Sequence, residues 1–323
     1  MGKIVITFIA VLTIVLTSCG RKSENSSNKK ISGDLIIFHA GSLSVPFKKI
    51  KKEFNKRYPD VNVLLESAGS RACARKITEL KKSCDIMASA DYTVIDELLV
   101  PEYAAWNIKF ATNEMCIVYH KSSRRSKEIN RGNWYKILMD QDIAFGRSDP
   151  NSDPCGYRAV LAMKLAGKYY NSVELAEKLL NKDKNYIRPK ETDLLALLES
   201  NTIDYLFLYR SVAQQHELDY LILPDEINLK SAELAVYYKT ATVDVTGKKP
   251  GKFITKKGAP MVYGITIPKN ASNPKAALAF VNFVLSKEKG MKIMEKQGQP
   301  SAVPSKSETF EKIPEQLKKY AKK

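Results

Sequence analysis

Histidine, tryptophan and cysteine are scarce in this chain of 323 residues, which has three, two and five of them respectively. Three histidines leave little material for a histidine-rich metal site. The five cysteines are scattered and form no CxxC pair, which excludes a disulfide-framed miniprotein and a zinc ribbon. Only one long apolar run occurs, so the chain is not a membrane protein with several spans.

The composition is otherwise that of a folded protein, with 44% hydrophobic and 27% charged residues, which excludes disorder of the whole chain. The length suggests about two domains. The formal net charge is +17. Such a charge suits either a nucleic-acid partner or a solvated cationic surface beside anionic lipid. We expect no nucleic-acid partner, because the lysines are spread along the chain without interleaved aromatic residues and the chain begins with an export signal.

That signal consists of Lys3 and an apolar run over residues 4–16, which is short for a membrane span and typical of a signal peptide. Residues 16–20 (LTSCG) follow and resemble the lipobox of bacterial lipoproteins, in which the cysteine is lipidated. We therefore predict a signal peptide over residues 1–18, lipidation of Cys19 and a polar tether over residues 19–31. A plain signal peptide or a short anchor helix are the alternatives.

Strands and helices alternate after residue 31, which predicts an α/β fold with parallel sheets. Strands are predicted over residues 34–39, 61–65, 85–88, 108–112, 115–119, 143–146, 205–208 and 261–267. Helices are predicted over residues 45–58, 72–80, 155–167, 172–181, 191–200, 274–285 and 287–297. We expect lobe 1 to span residues 32–112 and about 262–305, lobe 2 to span 113–261, and residues 306–323 to form a basic tail, with a ligand cleft between the lobes.

Three strand-to-helix corners carry the predicted chemistry. They are His39 to Ser44 (HAGSLS), Glu66 to Arg71 (ESAGSR) and Asp149 to Tyr157 (DPNSDPCGY). A helix start exposes unpaired N–H groups at the positive end of its dipole, serine adds a hydroxyl donor, and glycine permits close approach of the backbone. Corners of this kind that face one cleft would bind a small oxyanion, although each could equally be an ordinary helix cap.

At these corners the chain resembles the periplasmic molybdate/tungstate-binding proteins of ABC transporters, in particular their archaeal-type branch. The resemblance covers about residues 33–304. It depends on residues 39–47 (HAGSLSVPF), 67–70 (SAGS), 90–92 (ADY), 110–115 (FATNEM), 148–151 (SDPN), 153–158 (DPCGYR), 188–191 (RPKE), 209–213 (YRSVA) and 223–229 (LPDEINL). It implies a two-lobed periplasmic-binding-protein fold of type II that closes over one oxyanion.

The resemblance also implies which residues bind the oxyanion. They are Gly41 and Ser42 in the first corner, Ser70 in the second, Asp153, Pro154 and Cys155 in the third, and, outside the corners, Glu191 and Tyr209. In this branch Asp153 and Glu191 would approach the metal atom of the oxyanion as additional oxygen ligands. Asp153 could instead be only a helix cap, Glu191 a surface acid and Tyr209 a core residue.

The sequence therefore predicts a monomeric, lipid-anchored, extracytoplasmic solute-binding protein that captures molybdate or tungstate and delivers it to an ABC transporter permease. It needs no cofactor and is not an enzyme. A sulfate- or phosphate-binding protein is the first alternative. An extracytoplasmic enzyme on the same fold is the second, with Cys155 at a helix start as its conceivable nucleophile.

Overall fold

Residues 31–249 and 251–323 are described by the computed structural model. The predicted signal peptide and Cys19, and with them the proposed lipid anchor, lie outside the described residues. The strands are β1 Gly33–His39, β2 Val61–Ser67, β3 Ile86–Ser89, β4 Ile108–Thr112, β5 Met115–Tyr119, β6 Phe145–Ser148, β7 Ile187–Arg188, β8 Tyr205–Tyr209, β9 Asp219–Ile222, β10 Thr242–Thr246, β11 Phe253–Lys257, β12 Val262–Thr266, β13 Ser305–Lys306 and β14 Ala321–Lys322.

The helices show the predicted apolar spacing. In α1, Phe47, Ile50 and Phe54 are fully buried, and the helix ends two residues before Pro59. The helices are α1 Ser44–Arg57, α2 Ser70–Thr78, α3 Tyr92–Leu98, α4 Trp134–Met139, α5 Pro154–Tyr169, α6 Leu175–Lys182, α7 Leu195–Glu199, α8 Arg210–Gln215, α9 Asp225–Asn228, α10 Ala235–Tyr238, α11 Pro274–Leu285, α12 Lys292–Lys296 and α13 Glu315–Lys318.

Two five-stranded sheets organise these elements. The first has the order β2-β1-β3-β12-β4, in which β1, β2 and β3 are parallel and β12 is antiparallel to its neighbours. The second has the order β7-β6-β8-β5-β9, in which β5 is antiparallel to its neighbours. We call the part of the chain built on the first sheet lobe 1 and the part built on the second sheet lobe 2. The predicted α/β class and its two-lobed form are confirmed.

The chain crosses from lobe 1 to lobe 2 at Asn113 and Glu114, between β4 and β5, and returns in β12. The Asn113 side chain is buried and donates to the Ser211 hydroxyl of lobe 2 (2.7 Å) and to the Tyr263 hydroxyl of lobe 1 (2.9 Å). Glu114 pairs with Arg210 at 2.7 Å. Buried polar groups with such defined partners fix the path of the crossing.

Several segments differ from the sequence prediction, among them the helices α3, α4, α8, α9 and α10 and the strands β7 and β9, which were not predicted. Residues 191–200 are a 3₁₀ turn, Glu191–Leu194, followed by α7, instead of one helix. The hairpin β10–β11 was not predicted; its strands are half exposed and rich in threonine and lysine, and Lys164 of α5 donates to the Thr242 carbonyl at its start. Residues 306–323 are not a free tail, because β13 pairs with β14 and Leu317 is buried.

None of the helices within residues 31–249 and 251–323 has the length and hydropathy needed to cross a bilayer. The four cysteines of these residues, Cys73, Cys84, Cys116 and Cys155, are free and buried.

Candidate functional site

The three predicted corners meet between the lobes. The first corner follows β1 and contains Gly41, where an added methyl group would lie 2.7 Å from both carboxylate oxygens of Glu191 in lobe 2. The second corner precedes α2 and contains Gly69, where a methyl group would lie 2.3 Å from the Ser152 carbonyl oxygen of the third corner. At Gly69 the contact is with backbone, so only glycine permits this approach of the two lobes, whereas at Gly41 a methyl group would require the Glu191 carboxylate to shift.

Backbone hydrogen bonds join the second and third corners. The N–H groups of Arg71 and Ala72, in the first turn of α2, both donate to the Ser152 carbonyl oxygen at 3.1 Å. They are two of the donors that a helix start leaves unpaired. In this closed arrangement they therefore hold the other lobe, and the oxyanion would be bound by other groups.

Asp153 is the N-cap of α5 and is almost fully buried. One of its carboxylate oxygens accepts from the Cys155 N–H at 3.0 Å and the other from the Glu191 N–H at 2.9 Å. Burial raises the pKa of Asp153 above its usual value, although these hydrogen bonds lower it. Asp153 is thus a helix cap that also reaches the start of the Glu191 turn.

Glu191 is fully buried, yet neither of its carboxylate oxygens has a hydrogen-bond partner of ordinary geometry among the described residues. Burial raises the pKa of Glu191 well above its usual value, and the neighbouring Asp153 carboxyl raises it further. A buried acid without a partner is unfavourable by about 1–3 kcal/mol or more, and such exceptions in native proteins mark functional groups.

The three hydroxyl groups predicted to bind the oxyanion are buried, and each of them accepts a hydrogen bond. Ser42 accepts from the Tyr263 hydroxyl (2.9 Å) and Ser70 from the Ala90 N–H (3.0 Å). Tyr209 accepts from the Arg158 guanidinium at 2.9 Å. The proton of each hydroxyl is then available for donation, and burial keeps Tyr209 protonated because it raises its pKa well above the usual value.

The third corner contributes fewer donors than predicted. The N–H of Asp153 donates to the Asp149 carbonyl oxygen, that of Cys155 donates to Asp153, and Pro154 has no N–H. The Cys155 thiol is fully buried, and its pKa is raised well above the usual value by burial. Pro154 and Cys155 can therefore shape the site but offer neither an N–H donor in this arrangement nor a reactive thiolate.

Three further residues of this region were not predicted from the sequence: Ser148, Arg158 and Tyr263. Ser148 ends β6, and its buried hydroxyl lowers the pKa of the adjacent Asp153. Arg158 and Tyr263 orient Tyr209 and Ser42 through the hydrogen bonds described above. Arg158 stands in the DPCGYR motif, but only the folded chain reveals that it contacts Tyr209, which lies 51 residues later.

Beside the site, five buried or half-buried groups join the lobes, and we call them the closure contact: Asp91 and Glu97 in lobe 1, Tyr157 and Arg158 in α5, and Lys256 in β11. Tyr157 donates to Asp91, and Arg158 donates to the Ala90 carbonyl oxygen (2.8 Å). Lys256 pairs with Glu97 at 2.7 Å. Burial by itself would raise the pKa of Asp91, but Lys256 and Arg158 hold it below its usual value.

No group of three or more His, Cys, Asp or Glu side chains suited to hold a metal ion occurs among the residues that the structure describes. What the site offers instead is a pair of carboxyl groups with hydroxyl donors around them. Two lobes that close over buried polar groups of this kind define a class of protein that encloses a small ligand.

The chain belongs to the family of bacterial extracellular solute-binding proteins, whose family pattern it matches over residues 35–299. It is 52% identical to an uncharacterized solute-binding protein of Petrotoga mobilis, over 90% of this chain and 91% of the relative. It is 42% identical to the molybdate/tungstate-binding protein WtpA of Pyrococcus abyssi, over 97% and 96% of the two chains. It is 40% identical to WtpA of Thermococcus kodakarensis, over 98% and 96%.

Solved structures support the fold. The periplasmic molybdate-binding protein of Azotobacter vinelandii superposes with a TM-score of 0.60 at 14% identity, over 82% of this chain and 98% of that one. The sulfate-binding protein SubI of Mycobacterium tuberculosis gives a TM-score of 0.59 at 15% identity, over 84% and 88%. These two proteins carry different oxyanions on one fold, so the fold leaves the ligand open and the side chains must decide it.

Proposed function

We propose that this protein captures molybdate or tungstate outside the cytoplasm and delivers it to the permease of an ABC transporter. It would be held at the membrane as a monomer by a lipid on Cys19 and would need no cofactor, because it releases its ligand unchanged. The WtpA relatives support this proposal through the ligands that their names state. The observation that carries it is Glu191, a buried acid beside Asp153 whose carboxylate oxygens have no hydrogen-bond partner of ordinary geometry among the described residues.

The three hydroxyl donors fit a tetrahedral oxyanion. Ser42 and Ser70 belong to lobe 1 and Tyr209 to lobe 2, so an anion bound by all three would bridge the lobes. Each hydroxyl oxygen already accepts one hydrogen bond, which directs its proton to another acceptor. Neutral donors of this kind bind an oxyanion without requiring a counter-charge.

The two acids argue against sulfate and phosphate. At 4 Å and an effective dielectric constant near 20, each contact between unit like charges is unfavourable by about 4 kcal/mol. The central atoms of sulfate and phosphate have no open coordination positions, so this repulsion would remain uncompensated. Molybdenum and tungsten accept additional hard oxygen ligands. Asp153 and Glu191 would then be ligands of the metal atom and would exclude the abundant competitors.

An enzymatic function has less support. Cys155, the only thiol in the three corners, is fully buried, and burial raises the pKa of its thiol. A nucleophilic cysteine requires the opposite shift. The site therefore fits binding of an anion better than a reaction with it.

Titration calorimetry of the protein against tungstate, molybdate, sulfate and phosphate tests the proposal. We expect tight binding of the first two anions and an increase in the unfolding temperature with their concentration. Tight sulfate binding with no response to tungstate would reject the assignment. The anchor is tested separately, because Cys19→Ser should release the protein from the membrane fraction or leave it unprocessed.

A further inference from the structure

The positive charge of the chain is concentrated on one side of lobe 1. The segments 44–57 and 274–323 contain seventeen Lys and Arg residues and six Glu residues, and no Asp. Their net charge of +11 is most of the +17 of the whole chain, although they make up only 64 of its 323 residues. We call the exposed surface of these two segments the basic face.

The two segments form one continuous layer. Phe54 of α1 packs edge-on against Phe280 of α11, with ring centroids 5.0 Å apart. Lys49 of α1 donates to the Gln297 side chain just after α12 at 3.0 Å. The Tyr320 hydroxyl, near the C-terminus, donates to Asn282 of α11 at 2.8 Å. The two segments therefore lie side by side, despite a separation of more than 200 residues in sequence.

Much of the negative charge in this layer is already neutralised. Glu53 pairs with Lys56, Glu315 with Lys318 and Glu311 with Lys323, each at 2.7–2.8 Å. Most of the remaining lysines are exposed. Among them, Lys48 and Lys52 of α1 and Lys292 of α12 are exposed and make no ion pair within the described residues.

We propose that the basic face docks the protein on the anionic lipid surface of the membrane to which it is anchored. This inference depends on the lipid anchor of the proposed function. Each lysine near an anionic bilayer contributes about 1 kcal/mol, and several act together. Sixteen of the seventeen cationic residues are lysine, and lysine is depleted in protein–protein interfaces, where arginine and aromatic residues are enriched. A lipid surface therefore fits this composition better than a protein partner.

The start of the described chain supports the same partner. Gly33 donates to the Asp60 carbonyl oxygen at 2.9 Å, so β1 begins beside the C-terminal end of α1, at the edge of the basic face. The fourteen-residue separation of Cys19 and Gly33 limits their distance to about 50 Å. The corners with the predicted ligand residues lie at the other ends of β1 and β2, where α1 begins, so lipid contact would have to be made along the exposed side of α1 to leave them accessible.

Vesicle binding tests the proposal with the protein from Gly20 onward. This chain has no lipid anchor but retains residues 31–323, which form a compact unit of their own. We expect it to bind vesicles of phosphatidylcholine with 30% phosphatidylglycerol, and to bind them more weakly at high salt. It should not bind vesicles of pure phosphatidylcholine. The triple variant Lys48→Gln, Lys52→Gln, Lys292→Gln should bind at least tenfold more weakly.

A matched control removes three exposed lysines from lobe 2 in place of those on the basic face: Lys121, Lys127 and Lys239. Their replacement by glutamine should leave vesicle binding within about twofold of the parent. Equal losses of vesicle binding in the two triple variants would show that only the net charge of the protein matters. That result would overturn the proposal that the basic face docks on the membrane. Absence of binding to the anionic vesicles would also overturn it and favour an acidic protein partner. Tungstate calorimetry of the same variants should be unchanged, which separates this inference from the proposed function.

Discussion

The candidate site and the closure contact are both buried between the lobes, yet their charges are arranged in opposite ways. In the closure contact every charge meets an opposite charge or a hydrogen bond: Lys256 pairs with Glu97, and Asp91 lies beside Arg158. In the candidate site, Glu191 lies beside another acid, Asp153, and its carboxylate oxygens have no hydrogen-bond partner of ordinary geometry in the described part of the chain.

This difference assigns separate tasks to the two regions. The charged groups of the closure contact are paired without a ligand, so this contact favours the closed form whether or not a ligand is bound. The candidate site is incomplete without a ligand, and its buried acids oppose closure. Together they would give a protein that remains closed only when a suitable oxyanion compensates the acids.

The largest effect is expected when both acids of the site are neutralised. Asp153→Asn with Glu191→Gln keeps the shape of the side chains and removes their charge. Loss of two charged ligands should weaken tungstate binding by about 4 kcal/mol, or about a thousandfold, and sulfate binding should improve. Calorimetry with both anions measures this.

The control is Asp193→Asn with Glu199→Gln, which removes the same charge from exposed positions of the same segment. It should bind tungstate like the parent. If the site variant also keeps the parent's tungstate affinity and still rejects sulfate, the two acids are not ligands and the site assignment is wrong.

A smaller effect is expected when the closure contact is weakened. Lys256→Gln removes the cation that pairs with Glu97 and that lowers the pKa of Asp91. Because Lys256 belongs to the contact and not to the site, tungstate should dissociate about tenfold faster, with little change in the association rate. Stopped-flow measurements resolve both rates.

The neighbouring Lys257 is exposed on the same strand and makes no ion pair within the described part of the chain. Lys257→Gln therefore serves as the matched control, with rates close to those of the parent. A change of the association rate alone in Lys256→Gln would contradict a role in holding the closed form.

A still smaller effect is expected at Gly41, which lies directly against the Glu191 carboxylate of the other lobe. In Gly41→Ala the new methyl group would lie 2.7 Å from the Glu191 oxygens, so the carboxylate must shift before the lobes close. We expect about fivefold weaker tungstate binding. Gly132→Ala in lobe 2 is the control, because its methyl group has 3.4 Å to the nearest side chain atom. Parent-like binding by Gly41→Ala would place the ligand away from this corner.

The sequence predicts the strands of both sheets well where they are buried apolar runs. The bounds of β4, β5 and α11 agree with the prediction to the residue. It does not reveal α3 or the hairpin β10–β11, because the half-exposed strands of the hairpin have no continuous apolar run. These elements carry Glu97 and Lys256 of the closure contact, so the closure contact cannot be predicted from the sequence.

The candidate site is also predictable only in part, because a sequence reveals local patterns and not contacts between distant residues. Strand-to-helix corners with Gly and Ser can be recognised locally, and the family resemblance adds Glu191 and Tyr209. Whether a hydroxyl donates or accepts, and whether an acid has a partner, depends on residues that are distant in sequence. Ser42 accepts from a tyrosine 221 residues away, and no local pattern encodes that contact.

The smallest effect is a dependence of closure on pH. In the closed form without ligand, burial and Asp153 raise the pKa of Glu191 above its usual value of 4.5. In an open form, where water reaches Glu191, the usual value should return. The closed form therefore binds a proton that the open form releases, and its stability relative to the open form falls as the pH rises above about 4.5. We expect the ligand-free radius of gyration to be slightly smaller at pH 5 than at pH 8 by small-angle scattering.

Tungstate should cancel this dependence, because coordination requires the ionised acid and replaces the proton. Binding should accordingly release protons, which calorimetry in buffers of different ionisation enthalpy detects, and affinity should increase with pH. Glu191→Gln cannot lose a proton, so its ligand-free radius should be the same at both pH values. If that variant retains the full pH response, a group other than Glu191 controls closure. Glu191 would then not be the acid that makes the candidate site incomplete without a ligand.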